Sequence, residues 1–285
     1  MSNILSGLEE LGFDKLSDVN VYGDKKNADA QANDVKKENS VQDKASQIAA
    51  EREMIFEKSY SCPCCYKDFK SKRVRTGKAQ TLKPESDLRP MHKGIDTVKY
   101  DVVACPHCGY AALESSFSNL SQVQIKWIRD KITQNFSGIK EYGDIYTYDD
   151  AILRTKLAIL CTVVKMGRDS EKAFSCLKLA WLYRGKLKEL SNESLQEAMK
   201  LEDELKKSEF DNLVLAFEGF SAAYSNERFP IIGMNESGYL YLLAELARRI
   251  NKPDESKRLI SRLLQERNIS HNVRDLVYDL KEKLK

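Results

Sequence analysis

Residues 60–69 read YSCPCCYKDF, and residues 104–110 read ACPHCGY. Each stretch has a Cys-Pro dipeptide followed by a cysteine two positions after the proline. In the second stretch the pairing is unambiguous, because Cys105 and Cys108 are its only cysteines. Two thiolates at this spacing on a tight turn can bind one metal ion at about 2.3 Å each, and Gly109 after the second thiolate eases the positive φ of such a turn. The second stretch therefore predicts half of a metal site.

The first stretch has one cysteine more than a metal-binding pair needs. Superposing the two patterns matches Cys62 and Cys65 with the ligand pair of the second stretch. Cys64 then falls at the variable position where His107 stands, so we predict that it is a bystander, with a role as a substitute ligand left open. Tyr66 stands where the second stretch has glycine, which is a mild departure from the pattern.

Two such pairs supply four sulfur ligands and leave no open coordination position, which is typical of structural rather than catalytic Zn²⁺. The predicted ligands are Cys62, Cys65, Cys105 and Cys108. Two other interpretations stay open: unliganded buried thiols, and a redox pair within CPCC, although no strand–helix–strand unit surrounds that pair. Cys161 and Cys176 lie on apolar helix faces and are predicted core residues.

The charge of the chain is unevenly distributed. Its 285 residues carry a net charge of +3, whereas residues 1–55 contain eleven acidic and seven basic side chains. A net charge this small does not by itself imply a polyanionic partner. We find no secretory signal and no apolar run of the about 18 residues that a membrane span needs. We therefore expect a cytoplasmic protein without a membrane partner, whose cysteines are metal ligands and buried thiols rather than disulfides.

Changes of pattern divide the chain into four predicted segments. An amphipathic leader, residues 1–22, precedes a disordered linker, residues 23–53, which is poor in apolar side chains. A zinc-ribbon-like β module follows at residues 54–118, and residues 119–285 show helical periodicity. Thr147 and Asp150 have the spacing of a capping box at the start of one of these helices. The predicted fold class is α+β, mainly α, in which the small module precedes an antiparallel helical array similar to tetratricopeptide repeats.

A weak internal repeat supports the helical array. Residues 157–180, LAILCTVVKMGRDSEKAFSCLKLA, and residues 240–263, LYLLAELARRINKPDESKRLISRL, share a helix, a tight polar turn and a second helix. Ala173 and Ser256 are small residues early in the second helix, where they let paired helices pack closely. An irregular helical bundle is the alternative.

Four leucines of the leader form an apolar stripe, which is Leu5, Leu8, Leu11 and Leu16. This spacing predicts that residues 3–20 form a short amphipathic helix, interrupted by Gly12, that docks in a groove, either on the body of the same chain or on a partner. The alternative is a disordered solubility tail.

Residues 67–83, KDFKSKRVRTGKAQTLK, are strongly basic and lie between the two cysteine pairs. Their candidate polyanion-binding side chains are Lys70, Lys72, Arg73, Arg75 and Lys78. A basic hairpin with an interleaved aromatic, Phe69, would suit a phosphate backbone. We favour a solvated hairpin whose lysines protect an edge strand, and docking of an acidic protein segment such as the leader is a third interpretation.

Five motifs in combination are distinctive: CPCCYKDFKSKRVRTGKAQ, DLRP, KYDVVACPHCGYAALES, YTYDDAILRTKLA and SEKAFSCLKLAWLYRGK. Together they resemble the bacterial domain-of-unknown-function family 2225 over about residues 54–285. The resemblance implies a zinc-ribbon-like part joined to a tetratricopeptide-like helical part. It implies the metal ligands Cys62, Cys65, Cys105 and Cys108, but no activity and no catalytic residue.

The sequence has no phosphate-binding glycine loop, nucleophile elbow or metal-hydrolase motif. We therefore predict a non-enzymatic protein with structural Zn²⁺ as its cofactor. The favoured function is that of an adaptor for an unknown protein or peptide. A nucleic-acid-binding protein that uses the basic hairpin between the cysteine pairs is the alternative.

Overall fold

The computed structural model describes residues 4–13, 21–22, 41–140, 143–190, 195–266 and 269–284. The first part of this described chain contains a 3-10 helix, an α-helix and short strands: Leu8–Leu11, α1 (Val41–Glu53), β1 (Ile55–Ser61), β2 (Asp68–Val74), β3 (Thr81–Leu82), β4 (Met91–His92), β5 (Val102–Ala104) and β6 (Ala111–Leu113). A second 3-10 helix, Thr97–Tyr100, precedes β5.

The remainder is helical. Its elements are α2 (Glu114–Phe117), α3 (Gln122–Ile128), a π-helical turn (Arg129–Thr133), α4 (Tyr148–Val164), α5 (Asp169–Leu190), α6 (Leu195–Asn226), α7 (Glu236–Arg249), α8 (Pro253–Gln265) and α9 (His271–Glu282). The predicted capping box opens α4: Asp150 N donates to Thr147 Oγ1 at 3.1 Å, and Thr147 N donates to Asp150 Oδ2 at 2.8 Å. This mainly helical chain with small sheets confirms the predicted fold class.

The six strands pair as three antiparallel hairpins, β1–β2, β3–β4 and β5–β6. In the first, Ile55 lies opposite Val74 and Ser61 lies opposite Asp68. The turns of the first and third hairpins contain the two cysteine pairs. We call residues 62–67 the first knuckle and residues 105–110 the second knuckle.

The long helices pack in sequence, α4 against α5, α5 against α6, α6 against α7 and α7 against α8. Ala173 and Ser256, the small residues of the internal repeat, are both fully buried. Ser256 also donates from Oγ to the carbonyl of Ala244 in the preceding helix at 2.7 Å. These contacts fit the predicted close pairing of helices, while the similarity to tetratricopeptide repeats stays a prediction.

One continuous buried cluster contains leader leucines, the knuckle cysteines and the apolar faces of the long helices. Residues on both sides of the predicted boundary between the β module and the helical array, at residues 118 and 119, contribute to this one cluster. The β module thus shares its core with the helices.

Part of the predicted linker has a different structure. Residues 41–53 form α1, and Glu51 near its end is buried. The Glu51 carboxylate accepts a hydrogen bond from Tyr100 Oη at 2.7 Å and pairs with Lys99 Nζ at 2.6 Å. These partners lie far along the chain, so local composition could not reveal that the helix is anchored. Residues 23–40 of the predicted linker lie outside the described residues.

The leader packs on the body of its own chain, but it is not a long helix. Leu5, Leu8 and Leu11 are buried, and the 3-10 helix ends at Gly12, which has a φ of 94°. A glycine is suited to this left-handed conformation, so the helix stops after one turn. Leu16 lies outside the described residues.

The leader has a second anchor at residues 21 and 22. Val21 is buried, and the Tyr22 hydroxyl fills the space left by the missing side chain of Gly219 in α6. No helix among the described residues has the length and apolar character needed to cross a membrane.

Candidate metal centre

The two knuckles have matching backbone geometry. In the first, Tyr66 N donates to the Cys62 carbonyl at 2.8 Å. In the second, Gly109 N donates to the Cys105 carbonyl at 3.1 Å. Tyr66 has a φ of 61° and Gly109 a φ of 74°, so both turns need the left-handed conformation after the second cysteine. The knuckle that lacks a glycine therefore bears a strained residue instead.

The turns bring together the four cysteines that the sequence selected. Their sulfur atoms all lie within 4.8 Å of one another, and the set is Cys62, Cys65, Cys105 and Cys108. Two of the sulfur–sulfur distances, Cys62 to Cys108 and Cys65 to Cys105, are 3.6 and 3.7 Å. A four-thiolate tetrahedron with metal–sulfur bonds of about 2.3 Å has edges of about 3.8 Å. The cluster therefore fits one tetrahedral metal ion.

Ionisation of the thiols is coupled. Hydrogen bonds from Cys105 and Cys108 lower the pKa of the Cys62 thiol. Hydrogen bonds with the sulfur atoms of Cys105 and Cys62 raise the pKa of Cys108, because they stabilise its protonated form. A bound dication would stabilise all four thiolates instead.

Cys64 lies beside the cluster without being a member of it. Its side chain is fully buried, and a hydrogen bond from Cys108 lowers the pKa of its thiol. The Cys64 carbonyl accepts hydrogen bonds from both Arg129 Nε, at 2.9 Å, and Arg129 Nη2. These contacts give Cys64 a place in the packing around the site, while its use as a substitute ligand stays open.

The helical region supports the second knuckle through side chains that the sequence did not point to. Thr133 Oγ1 donates to the Cys108 carbonyl at 3.1 Å. Cys161, on α4, donates to the Gly109 carbonyl at 3.5 Å and accepts from Ala111 N at 3.4 Å. Cys161 is thus the buried core residue that we predicted, and burial raises the pKa of its thiol to about 12. Cys176 is also buried, and burial raises its pKa to about 12.

The basic stretch has a different topology from the predicted hairpin between the knuckles. Its first half contains β2, which pairs antiparallel with β1 across the first knuckle. Phe69 is buried and stacks on Tyr60 with ring centroids 5.9 Å apart. Phe69 is therefore core, and its ring is not presented to a ligand.

Two lysines of β2 contact neighbouring side chains. Lys70 Nζ lies 3.4 Å from Glu57 Oε2, and Lys72 Nζ lies 4.9 Å from the centre of the Tyr146 ring. Both cations are thus partly balanced within the chain.

The arginines are more firmly held. Arg73 donates to Glu114 and to a backbone carbonyl, and Arg75 Nε donates to the Ile55 carbonyl at 2.9 Å. Lys78 is exposed and has no side-chain partner within the described part of the chain. Within the described residues, one of the five candidate cations is thus left without a contact inside the chain. A phosphate-binding surface needs several such cations.

A second charged cluster joins the 83–90 loop, which contains the DLRP motif, to the helices. Asp87 is fully buried at its centre. Its Oδ2 accepts from Trp181 Nε1 at 3.0 Å and from Arg184 Nη2 at 2.7 Å. Arg184 also pairs with Glu85 at 2.5 Å and with Glu209 at 2.7 Å. We call these five residues the Asp87 network.

Electrostatics keep Asp87 ionised. Burial raises the pKa of Asp87, but the Arg184 guanidinium outweighs burial, and the net pKa is lowered. Leu88, next to Asp87, has a φ of 65°, which is unusual for a branched side chain. The loop is therefore held by its ion pairs in a conformation that it would not adopt alone.

A cavity of about 430 Å³ opens beside this network. It lies between the 83–90 loop and helices α5, α7 and α9, and we call it the cleft. Its lining residues are Lys83, Pro84, Glu85, Ser86, Arg184, Lys188, Tyr241, Arg249, Leu276, Asp279 and Lys283. The sequence did not reveal it, because its walls come from segments far apart in the chain.

Comparison with known proteins gives a family and no closer relative. The model of DUF2225, a family described as uncharacterized proteins conserved in bacteria, matches residues 55–284. No curated protein matches the chain, and no solved structure matches it. The matched range contains both knuckles, the Asp87 network and every long helix, so the chain belongs to the DUF2225 family.

Proposed function

We propose that the protein is a non-enzymatic cytoplasmic adaptor, in which Zn²⁺ is structural and a protein segment binds in the cleft. The choice of zinc follows from the ligands: four thiolates in a tetrahedral cluster select a soft or borderline metal and leave no position for substrate. The cytoplasmic location is consistent with seven cysteines that are all free thiols, as expected in a reducing compartment.

The cleft is the observation that carries the adaptor function. Its volume falls within the range of ligand sites in proteins, about 300–1,000 Å³. It lies where the β module meets the helices, and the Asp87 network joins the 83–90 loop to α5. Tyr241 Oη donates to the Ser86 carbonyl at 2.6 Å, which joins α7 to the loop at the cleft itself. A rigid cavity costs little ordering on binding.

Binding of nucleic acid by β2 has less support. Arg73 and Arg75 are already engaged within the chain, and Phe69 is buried. A phosphate backbone would have to compete with these contacts. We therefore keep the adaptor as the favoured function.

Site-specific photocrosslinking tests the adaptor function. A photoreactive amino acid in place of Leu276 would face the cleft, and one in place of Val123, which is exposed and does not line the cleft, provides the control. In cells that express the full chain, we expect a discrete protein adduct from position 276 that nuclease treatment does not remove. Identical adducts from both positions, or an adduct that nuclease abolishes, would contradict the proposal.

A further inference from the structure

The cleft concentrates positive charge. Its lining has five basic side chains, Lys83, Arg184, Lys188, Arg249 and Lys283, and two acidic ones, Glu85 and Asp279. Carboxylates outside the lining, those of Asp87, Glu209 and Glu245, also pair with the two arginines, so the unbalanced positive charge of the cleft lies on its lysines. Charge of one sign in a concave site attracts a ligand of the opposite sign more strongly than the same charge on a flat surface.

The cations of the cleft differ in how far they are engaged. Arg184 and Lys188 pair with Glu85, and Arg249 donates to Glu245 at 2.8 Å. These three side chains are held by their carboxylate partners. Lys83 and Lys283 are exposed, and neither has an ion-pair partner among the residues that the structure describes. The two lysines are therefore the cations that remain open to a ligand.

Apolar groups line the cleft together with the charged ones. Leu276 and Pro84 line the cleft, and so does the ring of Tyr241. The guanidinium groups here already donate to carboxylates, so the site lacks the several converging free donors that would hold a small free anion such as phosphate. Open lysines and apolar surface in one cleft suit a chain that carries both carboxylates and an apolar side chain.

We propose that the cleft binds an acidic protein segment, whose carboxylates pair with Lys83 and Lys283 and whose apolar side chain packs on Leu276 and Tyr241. This inference rests on the proposed adaptor function and names the chemistry of the partner. Because both lysines are exposed, each pair adds modestly to affinity. Together they exclude basic segments, since like charges across an interface repel.

The test uses the full chain with the photoreactive residue at position 276 and two charge-reversal variants. Lys83→Glu/Lys283→Glu reverses the open cations of the cleft. Lys93→Glu/Lys257→Glu makes the same change of net charge at exposed lysines that do not line it. We expect the adduct yield to fall at least about fivefold in the cleft variant and to stay unchanged in the control. Mass spectrometry of the adduct should identify a segment with net negative charge.

The outcomes separate this inference from the adaptor function. An adduct that survives charge reversal, or a crosslinked segment that is neutral or basic, overturns the inference and leaves the adaptor function standing. Absence of any specific adduct overturns both. A synthetic peptide of the crosslinked segment should bind the purified chain, and inorganic phosphate at equal ionic strength should not displace it. Displacement by phosphate would overturn the inference in favour of a small-anion site.

Discussion

The Ser137 amide donates to the Leu11 carbonyl at 2.9 Å, and this bond joins the leader to a segment that also supports the metal centre. Four residues before Ser137, the Thr133 hydroxyl donates to the Cys108 carbonyl. Between them, the Phe136 ring packs against Gly109, where an added Cβ would lie 2.6 Å away from it. The leader and the second knuckle are thus held by the same short stretch, residues 133–137.

Gly12→Ala should detach the leader. A Cβ at this position would lie 2.1 Å from the Asn135 carbonyl oxygen, and the φ of 94° disfavours alanine as well. We expect faster hydrogen exchange in residues 4–13 and a loss of about 2 kcal/mol in the free energy of unfolding.

Gly138→Ala is the matched control for that change. Gly138 has a φ of 111°, but an added Cβ would meet nothing within 4 Å. Gly138→Ala should therefore lower the free energy of unfolding only by the cost of a left-handed alanine, about 1 kcal/mol. Equal effects of the two substitutions on exchange in residues 4–13 would contradict the close contact between Gly12 and Asn135.

Removal of the metal should loosen the leader as well. Closed thiolate sites contribute directly to folding, so a chelator should mobilise the second knuckle and, through Thr133 and Phe136, residues 133–137. We expect hydrogen exchange to rise in residues 4–13 after chelation while the middle of α7 stays protected. A leader that remains fully protected in the chelated chain would show that the two sites are independent.

Lys156 should make leader docking sensitive to pH. The leader covers this lysine, and Lys156 Nζ donates to the Ser6 carbonyl at 2.5 Å. Burial lowers the pKa of Lys156 to about 8. The charged groups near it are Glu9, Asp149 and Lys186. In the unfolded chain the pKa is about 10.4. Between these two pKa values the unfolded chain binds more protons than the folded chain, so the free energy of unfolding rises with pH.

Lys156→Met removes that titration. Between pH 7 and 9.5 the unfolding free energy of the native chain should rise by about 2 kcal/mol relative to the variant, measured with urea. Thiol titration affects both chains alike and cancels in the difference. A difference that does not change with pH would mean that Lys156 is solvated beneath the leader.

Arg184→Met should destabilise the chain by about 3–5 kcal/mol, because it leaves the Asp87 carboxylate buried without its main partner. Arg184→Lys restores one charge but not the three-way contact, so it should recover part of the loss. Arg258→Met removes an exposed pair with Glu255 and serves as the control. Comparable losses from Arg184→Met and Arg258→Met in urea unfolding would show that the Asp87 network does not hold the loop.

The sequence predicted the parts of this protein that are specified locally. The spacing of Cys62 and Cys65 follows from the geometry of one turn, and the box of Thr147 and Asp150 is complete within four residues. The repeat likewise pointed to Ala173 and Ser256, which are both buried. Such features need no knowledge of distant contacts.

The features that the sequence missed depend on residues far apart in the chain. Asp87 meets Trp181 and Arg184 about a hundred positions later, so DLRP gave no sign of a buried network. The basic stretch looked like an exposed patch because its acidic partner, Glu114, lies beyond the second knuckle. The interruption of the leader helix at Gly12 was predicted, but the approach of the Asn135 carbonyl, which leaves no room for a Cβ there, could not be.

Four cysteines and not a fifth should hold one metal ion. Elemental analysis of three purified proteins, the native chain, Cys64→Ser and Cys105→Ser, measures the metal that each one binds. We expect one zinc per chain in the native protein and in Cys64→Ser, and loss of zinc from Cys105→Ser. Loss from Cys64→Ser as severe as that from Cys105→Ser would contradict the assignment of Cys62, Cys65, Cys105 and Cys108 as the ligands.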